Sequence, residues 1–178
     1  MLNLGKLAAG CAGDSGDFWE MENSNKFVGM IQWFTKSFEE LTNKELYAIM
    51  QIRFNVFIIE QNCMAEDLDD YDQKALHLFG VDEGGKVVAY ARIFGPGKKY
   101  DEAAFGRVLT AKEVRGQGAG KELMKRTLEV IEEHYGKVPV KISAQSYLLK
   151  FYSELGFEQV SEEYDDHGLP HIDMLRPV

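Results

Sequence analysis

A glycine-rich turn between an apolar strand segment and an amphipathic helix segment sets the strongest limit on the fold of this chain. Its residues are Arg115, Gly116, Gln117, Gly118, Ala119 and Gly120. Glycines let the backbone approach another molecule closely, and the unpaired N–H groups of a helix start, aided by the helix dipole, attract anions. The turn therefore predicts a site at which backbone amides hold a pyrophosphate. The alternative is a glycine-rich turn that binds nothing.

Two common nucleotide-binding motifs are excluded at this turn. A Walker A loop needs Gly-Lys-Ser/Thr, whereas Gly120 and Lys121 are followed by Glu122. A Rossmann turn needs the spacing G-x-G-x-x-G, whereas this turn has the spacing G-x-G-x-G. The turn is therefore neither a Walker A loop nor a dinucleotide-binding turn.

Strand and helix patterns alternate along the chain. Strands are predicted over residues 31–38, 76–81, 87–94, 104–110, 138–143, 157–164 and 169–175. Helices are predicted over residues 43–57, 118–135 and 146–155. The alternation indicates a mixed α/β domain with the strand, turn and helix unit near its centre. We expect residues 1–29, which begin with a small, glycine-rich stretch, to be a leader or extension outside the fold.

The composition restricts the class of protein. Apolar residues make up 45% of the 178 residues, which suffices for one packed domain. The formal net charge of −9 lacks the positive field that nonspecific nucleic-acid binding needs. The longest apolar run, residues 87–91, is far shorter than the roughly 20 residues that cross a bilayer. With only two cysteines as well, we expect a cytoplasmic protein that binds neither nucleic acid nor membrane.

Two motifs resemble those of the GNAT N-acetyltransferases. The pattern Arg-x-x-Gly-x-Gly after a strand is similar to their acetyl-CoA loop, and residues 145–157 are similar to their second motif, whose helix ends in Tyr-x-x-x-Gly-Phe. Residues 53–63, the acids at 67, 69 and 72, and residues 168–172 further resemble the ElaA branch of this superfamily. The resemblance implies that residues 30–178 form a GNAT acyl-CoA N-acyltransferase domain.

The resemblance also implies a fold and a cosubstrate. The fold is α/β (α+β), with a mixed, mostly antiparallel sheet of about seven strands and about four flanking helices; the fourth and fifth strands run parallel and splay apart, and coenzyme A enters the split. The implied cosubstrate is acetyl-CoA, without a metal. Its expected contacts are Val108, Leu109, Thr110, Arg115, Gly116, Gln117, Gly118, Ala119, Gly120, Gln145 and Tyr152. Gln145 stands where the family motif commonly has Asn.

Acetyl transfer to an amine requires a base, an oxyanion donor and an acid. A protonated amine has no free lone pair and must lose a proton before it attacks the thioester. The oxyanion then needs N–H donors, which the resemblance assigns to the backbone around Val108 and Leu109. It assigns Tyr152 as the general acid that protonates the departing thiolate. The alternative for Tyr152 is a packed helix residue whose hydroxyl is satisfied locally.

The general base is not fixed by the resemblance. Many GNAT enzymes use a Glu on the fourth strand, but residues 105–110 contain no carboxylate. The candidates are Glu60, His77 and His171. A neutral imidazole accepts a proton near pH 7, which favours the histidines. The alternative for each candidate is a hydrogen-bonded structural role.

Six charged residues are candidates for the acceptor site. They are Arg53, Asp67, Asp69, Asp72, Arg92 and Arg107. The three aspartates form either a solvated acidic turn or a cluster that attracts a cationic amine. The three arginines either pair with those carboxylates or bind a carboxylate of the substrate. The spacing of the acids does not fit the D-x-D-x-D-G loop of a calcium site, so we expect no metal.

The sequence therefore predicts transfer of an acetyl group from acetyl-CoA to a primary amine by direct attack, with an acceptor that the sequence does not identify. A second interpretation is an acyl-homoserine-lactone-synthase-like acyltransferase, because the N-terminal half also resembles that group, although its members generally lack a complete glycine loop. A third is a noncatalytic regulator that binds acyl-CoA. The fold often forms homodimers, so a second copy of the chain is another candidate partner.

Overall fold

The structure is a computed structural model that describes residues 30–178. The leader predicted over residues 1–29 lies outside the described residues. A mixed β-sheet with helices packed against it accounts for most of the described chain. Within this range no helix has both the length and the apolar character needed to cross a membrane.

Eight strands form one sheet in the described part of the chain. They are β1 (Gln32–Ser37), β2 (Leu76–Val81), β3 (Val87–Phe94), β4 (Ala103–Thr110), β5 (Val140–Gln145), β6 (Glu158–Gln159), β7 (Tyr164–Asp166) and β8 (Leu169–Arg176). Their order is β1-β2-β3-β4-β5-β8-β6, with β7 also paired to β8. Only β4 and β5 pair in parallel. The mixed, mostly antiparallel sheet is thus confirmed, with one more strand than expected because the predicted strand 157–164 is interrupted between β6 and β7.

Three α-helices occur within residues 30–178, rather than about four. They are α1 (Asn43–Arg53), α2 (Ala119–Tyr135) and α3 (Leu149–Ser153). α1 starts after Thr42, whose hydroxyl accepts the Glu45 N–H at 3.2 Å while the Glu45 carboxylate accepts the Thr42 N–H at 2.9 Å. α1 continues directly into a π-helical segment, Phe54–Glu60, so the helical region extends beyond its predicted end at residue 57.

The hydrophobic core lies on both faces of the sheet. Ala89, Ala91 and Ile93 of β3 belong to the cluster under α2 and α3, whereas Val88 and Tyr90 belong to the cluster under α1. This alternation follows from the two-residue period of a strand, which sends successive side chains to opposite faces. β3 is buried along its whole length because helices cover both of its faces.

β4 and β5 pair only where they begin. Ala103 lies opposite Val140 and Ala104 lies opposite Lys141, and the two strands form no further pair. Beyond this point, the facing edges of β4 and β5 keep main-chain groups that no strand covers. The predicted splay between the fourth and fifth strands is therefore confirmed.

β4 also contains a β-bulge at Arg107. The register with β3 changes from the pair Arg92 and Gly106 to the pair Tyr90 and Leu109, so β4 has one residue more than β3 at this point. Arg107 has a φ of 52°, in the left-handed region that a residue with a Cβ seldom adopts. The bulge changes the direction of the β4 edge where β4 parts from β5.

Candidate active site

A cleft of about 270 Å³ lies at the split between β4 and β5. Its lining comes from the π-helical segment and the loop after it, from β4 and β5, from α3, and from the β7–β8 hairpin. Its polar and charged lining includes Glu66, Lys99, Gln145, Tyr152, Asp166 and His171. Parts of the chain that are distant in sequence therefore meet at the split.

The glycine-rich turn has the open geometry expected of a phosphate-binding loop. Gly116 and Gly118 have φ of 68° and 86°, and a Cβ at either position would meet no other atom within 4 Å. These two glycines are therefore required by the backbone conformation, and the space beside them is clear. Gly118 is the N-cap of α2, so the first-turn N–H groups of a long helix begin here. The residues present fit a bound pyrophosphate.

Arg115 bonds the glycine-rich turn to the end of β4 and to the π-helical segment. Its guanidinium donates two hydrogen bonds to the Thr110 carbonyl at the end of β4, at 3.1 and 2.9 Å. It also forms an ion pair that uses both carboxylate oxygens of Glu60, the last residue of the π-helical segment. Glu60 is thus engaged by a cation and is not part of the cleft lining, which argues against its predicted role as general base.

Tyr152 lies in α3 with its side chain at the cleft. The residue is 4% exposed, and its ring packs near Phe105, Phe151 and Phe157, with ring centroids 5.2 to 6.2 Å away. Among residues 30–178 no hydrogen bond of its hydroxyl is found, and the side chain lines the cleft, which favours a phenol available to a ligand over the alternative of a locally satisfied hydroxyl. Burial, followed by the nearby Tyr147, raises the pKa of Tyr152. The phenol therefore stays protonated and can donate a proton within the cleft.

His171 lines the same cleft from β8. It lies opposite Gln145 of β5, and its ring stacks on that of Tyr164 at 6.2 Å. Its Nδ1 lies 2.8 Å from the Leu169 carbonyl, which can only accept, so Nδ1 carries the hydrogen. The remaining ring nitrogen, Nε2, is the one that can accept a proton, and no hydrogen bond of Nε2 is found in the described chain.

His77, the third base candidate, is fully buried outside the cleft. Its Nε2 donates to the Asp72 carbonyl at 3.0 Å, and its Nδ1 accepts from the Tyr90 hydroxyl at 2.8 Å. Burial lowers the pKa of His77 and keeps the ring neutral. Because both ring nitrogens are engaged, His77 has the structural role that was the alternative to a base.

The six charged residues predicted for an acceptor site bond to one another. The ion pairs join Arg53 to Asp67 and Asp72, Arg92 to Asp69 and Asp72, and Arg107 to Asp67 and Asp69. Three cations and three anions balance in this network, so mutual pairing engages all six side chains, of which Asp67 and Arg107 also line the cleft. Within the described range, no group of three or more His, Cys, Asp or Glu side chains is arranged to hold a metal ion.

The network is anchored in the protein interior. The side chains of Arg53 and Arg92 are each 1% exposed. Burial alone would raise the pKa of Asp69, but its hydrogen bonds and ion pairs, chiefly with Arg92, lower that pKa to about 2. The pKa of Asp72 is lowered as well, because Arg53 and Arg92 outweigh the effect of burial. Asp69 and Asp72 can thus stay ionised, although Asp72 is buried and Asp69 is only partly exposed.

Several cleft residues are not predicted as site residues from the sequence. They are Phe57, Glu66, Lys99, Tyr147, Asp166 and His167. Asp166 and His167 are recognisable as part of a hairpin turn, but the turn does not reveal that it lies beside the loop after the π-helical segment. The contact between the Cys63 Sγ and the His167 carbonyl, at 3.9 Å, joins positions 104 residues apart. Only the fold brings these segments together.

The split sheet, the glycine-rich turn and the cleft together define a GNAT-type acyltransferase. The family model of the acetyltransferase (GNAT) domain matches residues 38–176, and the chain belongs to this family. Within it the chain is ElaA-like, since it is 38% identical to ElaA of Escherichia coli over 151 residues, 84% of this chain and 98% of ElaA. The crystal structure of that ElaA superposes with a TM-score of 0.77 and covers 83% of this chain and 99% of its own. An acyl-CoA N-acyltransferase from Pseudomonas aeruginosa, 37% identical, has a TM-score of 0.79 with the same coverage.

A more distant likeness concerns the fold alone. BjaI, described as a CoA-dependent acyl-homoserine lactone synthase, has a TM-score of 0.68 at 16% identity and covers 83% of this chain. At this identity the likeness extends the shared fold to that group of enzymes. The second activity considered from the sequence therefore stays a prediction.

Proposed function

We propose that this protein transfers an acetyl group from acetyl-CoA to a primary amine. One observation carries the proposal: the Tyr152 phenol and the His171 imidazole line the same cleft, and neither the phenol hydroxyl nor Nε2 has a partner among residues 30–178. The reaction needs an acid for the leaving thiolate and a base for the incoming amine. These two side chains can supply both.

Coenzyme A would lie along the open edge of β4. Its pyrophosphate would accept hydrogen bonds from the backbone amides of residues 115–120 at the start of α2. Its pantetheine arm would then follow the uncovered main-chain groups of β4, past Thr110 and Leu109, towards Val108 in the cleft. The thioester would reach the part of the cleft that Tyr152 lines.

The proposed reaction uses these groups in order. The amine loses a proton to Nε2 of His171, directly or through water, and its nitrogen attacks the thioester carbon. The carbonyl electron pair moves to oxygen, where N–H groups of the bulged β4 edge near Val108 stabilise the negative charge. When the C=O bond forms again, the C–S bond breaks, and the thiolate takes the proton of Tyr152. The nitrogen then gives up its second proton, which returns to the Tyr152 phenolate directly or through water, and the products are an N-acetyl amide and coenzyme A.

Charged side chains of the cleft support an acceptor that carries both an amine and a carboxylate. Glu66 and Asp166 line the cleft without an ion pair to any Lys or Arg of the described chain, and the Asp166 carboxylate lies 3.7 Å from Nε2 of His167. Lys99 lines it without an ion pair to any Asp or Glu in the same range. Although Lys99 is exposed as a residue, partial desolvation and then the nearby Arg92 and Arg107 lower the pKa of its amine. A carboxylate bound beside Lys99 would relieve this repulsion, which favours an amino acid or a short peptide as acceptor.

The test is a panel of amines incubated with acetyl-CoA while thiol release is followed. The panel pairs each α-amino acid with the amine that lacks its carboxylate, and it includes peptides with free N-termini. Acetylation of an amine, verified by mass spectrometry of the product, would support the proposal. Coenzyme A binding without turnover of any amine would instead favour the noncatalytic regulator. Turnover only with S-adenosylmethionine would favour the lactone-synthase-like alternative.

A further inference from the structure

The strained residue of β4 is held by its own side chain. Arg107 has a φ of 52° inside a strand, at the bulge between Gly106 and Leu109. Its Nε donates to the Asp67 carboxylate at 2.7 Å, and its Nη2 lies 3.3 Å from the Asp67 carbonyl and 3.4 Å from the Asp69 carboxylate. The side chain therefore bonds to the loop after the π-helical segment, which also lines the cleft, and not to the strands beside it.

The partner of Arg107 is itself fixed. Asp67 accepts a second hydrogen bond from Arg53 Nε, at 3.0 Å, and its carbonyl accepts from Arg53 Nη2 at 2.8 Å. The Arg53 side chain is 1% exposed and also bonds Asp72 at 2.6 Å. The buried Arg53 side chain thus fixes Asp67, and Asp67 in turn binds Arg107.

We infer that Asp67 and Arg107 are positioning residues that keep the β4 bulge in the conformation needed for acetyl transfer. Gly106, Arg107 and Val108 line the cleft, and the β4 edge at this point has no strand partner on the β5 side. The conformation of Arg107 decides which main-chain groups of this edge face the thioester. The ion pair opposes the return of Arg107 to an ordinary strand conformation, which would remove the bulge. The inference rests on the proposed function, since it assigns these groups to the oxyanion of that reaction.

If Asp67 and Arg107 had only a structural role, or if Arg107 bound the substrate, substitutions would affect the melting temperature and kcat in different ways. If Asp67 and Arg107 only stabilised the loop, their loss would lower the melting temperature and leave the catalytic rate of the folded protein alone. If the Arg107 guanidinium bound the substrate, every residue without a guanidinium would fail equally at this position. If the ion pair with Asp67 instead holds the positive φ of Arg107, a third result is expected. Glycine at position 107 should preserve activity and alanine should not, because glycine adopts positive φ without support from a side chain and alanine does not.

The experiment compares Arg107→Gly with Arg107→Ala, and both with Asp67→Asn and the double variant Asp67→Asn, Arg107→Gly. Using the amine acceptor found in the panel, we expect R107G to retain at least tenfold more kcat than R107A, with similar coenzyme A affinity by calorimetry. We expect D67N to lose at least tenfold in kcat, and R107G to restore most of that loss in the double variant. Melting temperatures identify any variant that fails to fold.

A second measurement does not depend on turnover. In the folded variants, the backbone amide signal of Val108 in a ¹⁵N–¹H NMR spectrum should shift with acetyl-CoA relative to coenzyme A in wild type and R107G, but not in R107A. Equal kcat for R107A and R107G, or equal loss of both with an unchanged Val108 response, would overturn the inference. If no amine is acetylated, the proposed function fails. The Val108 comparison alone then decides whether the Asp67–Arg107 ion pair holds the conformation of the β4 bulge.

Discussion

Arg115 in the glycine-rich turn and Glu60 at the end of the π-helical segment form a two-point ion pair. The turn belongs to the proposed coenzyme A site, whereas Phe57 and Ile58 of the π-helical segment line the cleft where the acceptor would bind. The pair therefore connects the two sites through one short contact. Since Arg115 also bonds the Thr110 carbonyl, the same guanidinium holds the end of β4 in place.

Replacing Gly118 should separate coenzyme A binding from stability. In Gly118→Val, a β-branched side chain enters the clear space of the turn and disfavours the φ of 86°, so coenzyme A affinity should fall at least tenfold, about 1.4 kcal/mol. The matched control is Gly85→Val in the β2–β3 turn, where φ is 80° and a Cβ also meets no atom within 4 Å. Both variants should lose similar stability, and only the first should lose affinity by calorimetry. Unchanged affinity in folded Gly118→Val would remove the turn from the site.

Removing the hydroxyl of Tyr152 should slow the chemistry and leave binding intact. Tyr152→Phe keeps the ring packing, so coenzyme A affinity should hold while kcat falls by roughly 10² to 10⁴, the usual effect of general acid catalysis. The low end is expected because the coenzyme A thiolate is already a fair leaving group. Tyr135→Phe at the end of α2 is the control and should match wild type. Turnover within about twofold of wild type in Tyr152→Phe would make the tyrosine structural.

Lys99 should set the preference for a carboxylated acceptor. Lys99→Met removes the cation and keeps an unbranched side chain, so KM for an amino acid should rise about tenfold or more, as expected for a lost charge-assisted hydrogen bond. KM for the matched amine without a carboxylate should change less than twofold. Lys98→Met is the control, because Lys98 is not part of the cleft lining. Parallel changes for both acceptors would contradict the assignment of Lys99.

His77 should make the folded protein sensitive to mild acid. Its pKa is lowered in the folded state, so below its ordinary pKa of about 6.5 the unfolded chain binds a proton that the folded chain does not. The contribution of His77 to the free energy of unfolding is therefore complete above that pH and declines as the pH falls below it. In His77→Gln, urea unfolding between pH 7.5 and 5 should show a smaller decline than in wild type. An unchanged slope in His77→Gln would refute the prediction.

Much of the sheet could be predicted because its signals are local. The strands Leu76–Val81 and Val87–Phe94 have their predicted bounds, since an apolar run on each side of Glu83, Gly84 and Gly85 specifies a hairpin from neighbouring residues. The prediction of one continuous strand over residues 157–164 is wrong at Glu162 and Glu163, the acidic residues that follow Ser161. There the chain leaves the sheet between β6 and β7, and both residues are exposed.

Some residues of the candidate site could likewise be predicted from local sequence, and others could not. The glycine-rich turn is a local motif, and its left-handed glycines could be expected from the sequence. By contrast, His77 and His171 look alike as residues, and only the fold buries one with two partners and leaves the other at the cleft. The pairing of Arg107 with Asp67 spans 40 positions, so no spacing rule could distinguish it from a substrate-binding arginine.

The separation of β4 from β5 also limits where a strand of another molecule can pair with this sheet. An uncovered strand edge is a template on which a foreign chain can add. Here the two uncovered edges face each other across the cleft, between the π-helical segment and the β7–β8 hairpin. At the outer margin beyond β8, β6 and β7 contribute only two and three residues. Among the described residues, the longer open margin is β1, with six residues at the opposite end of the sheet, and continuation of the sheet into a second molecule would be expected to start there.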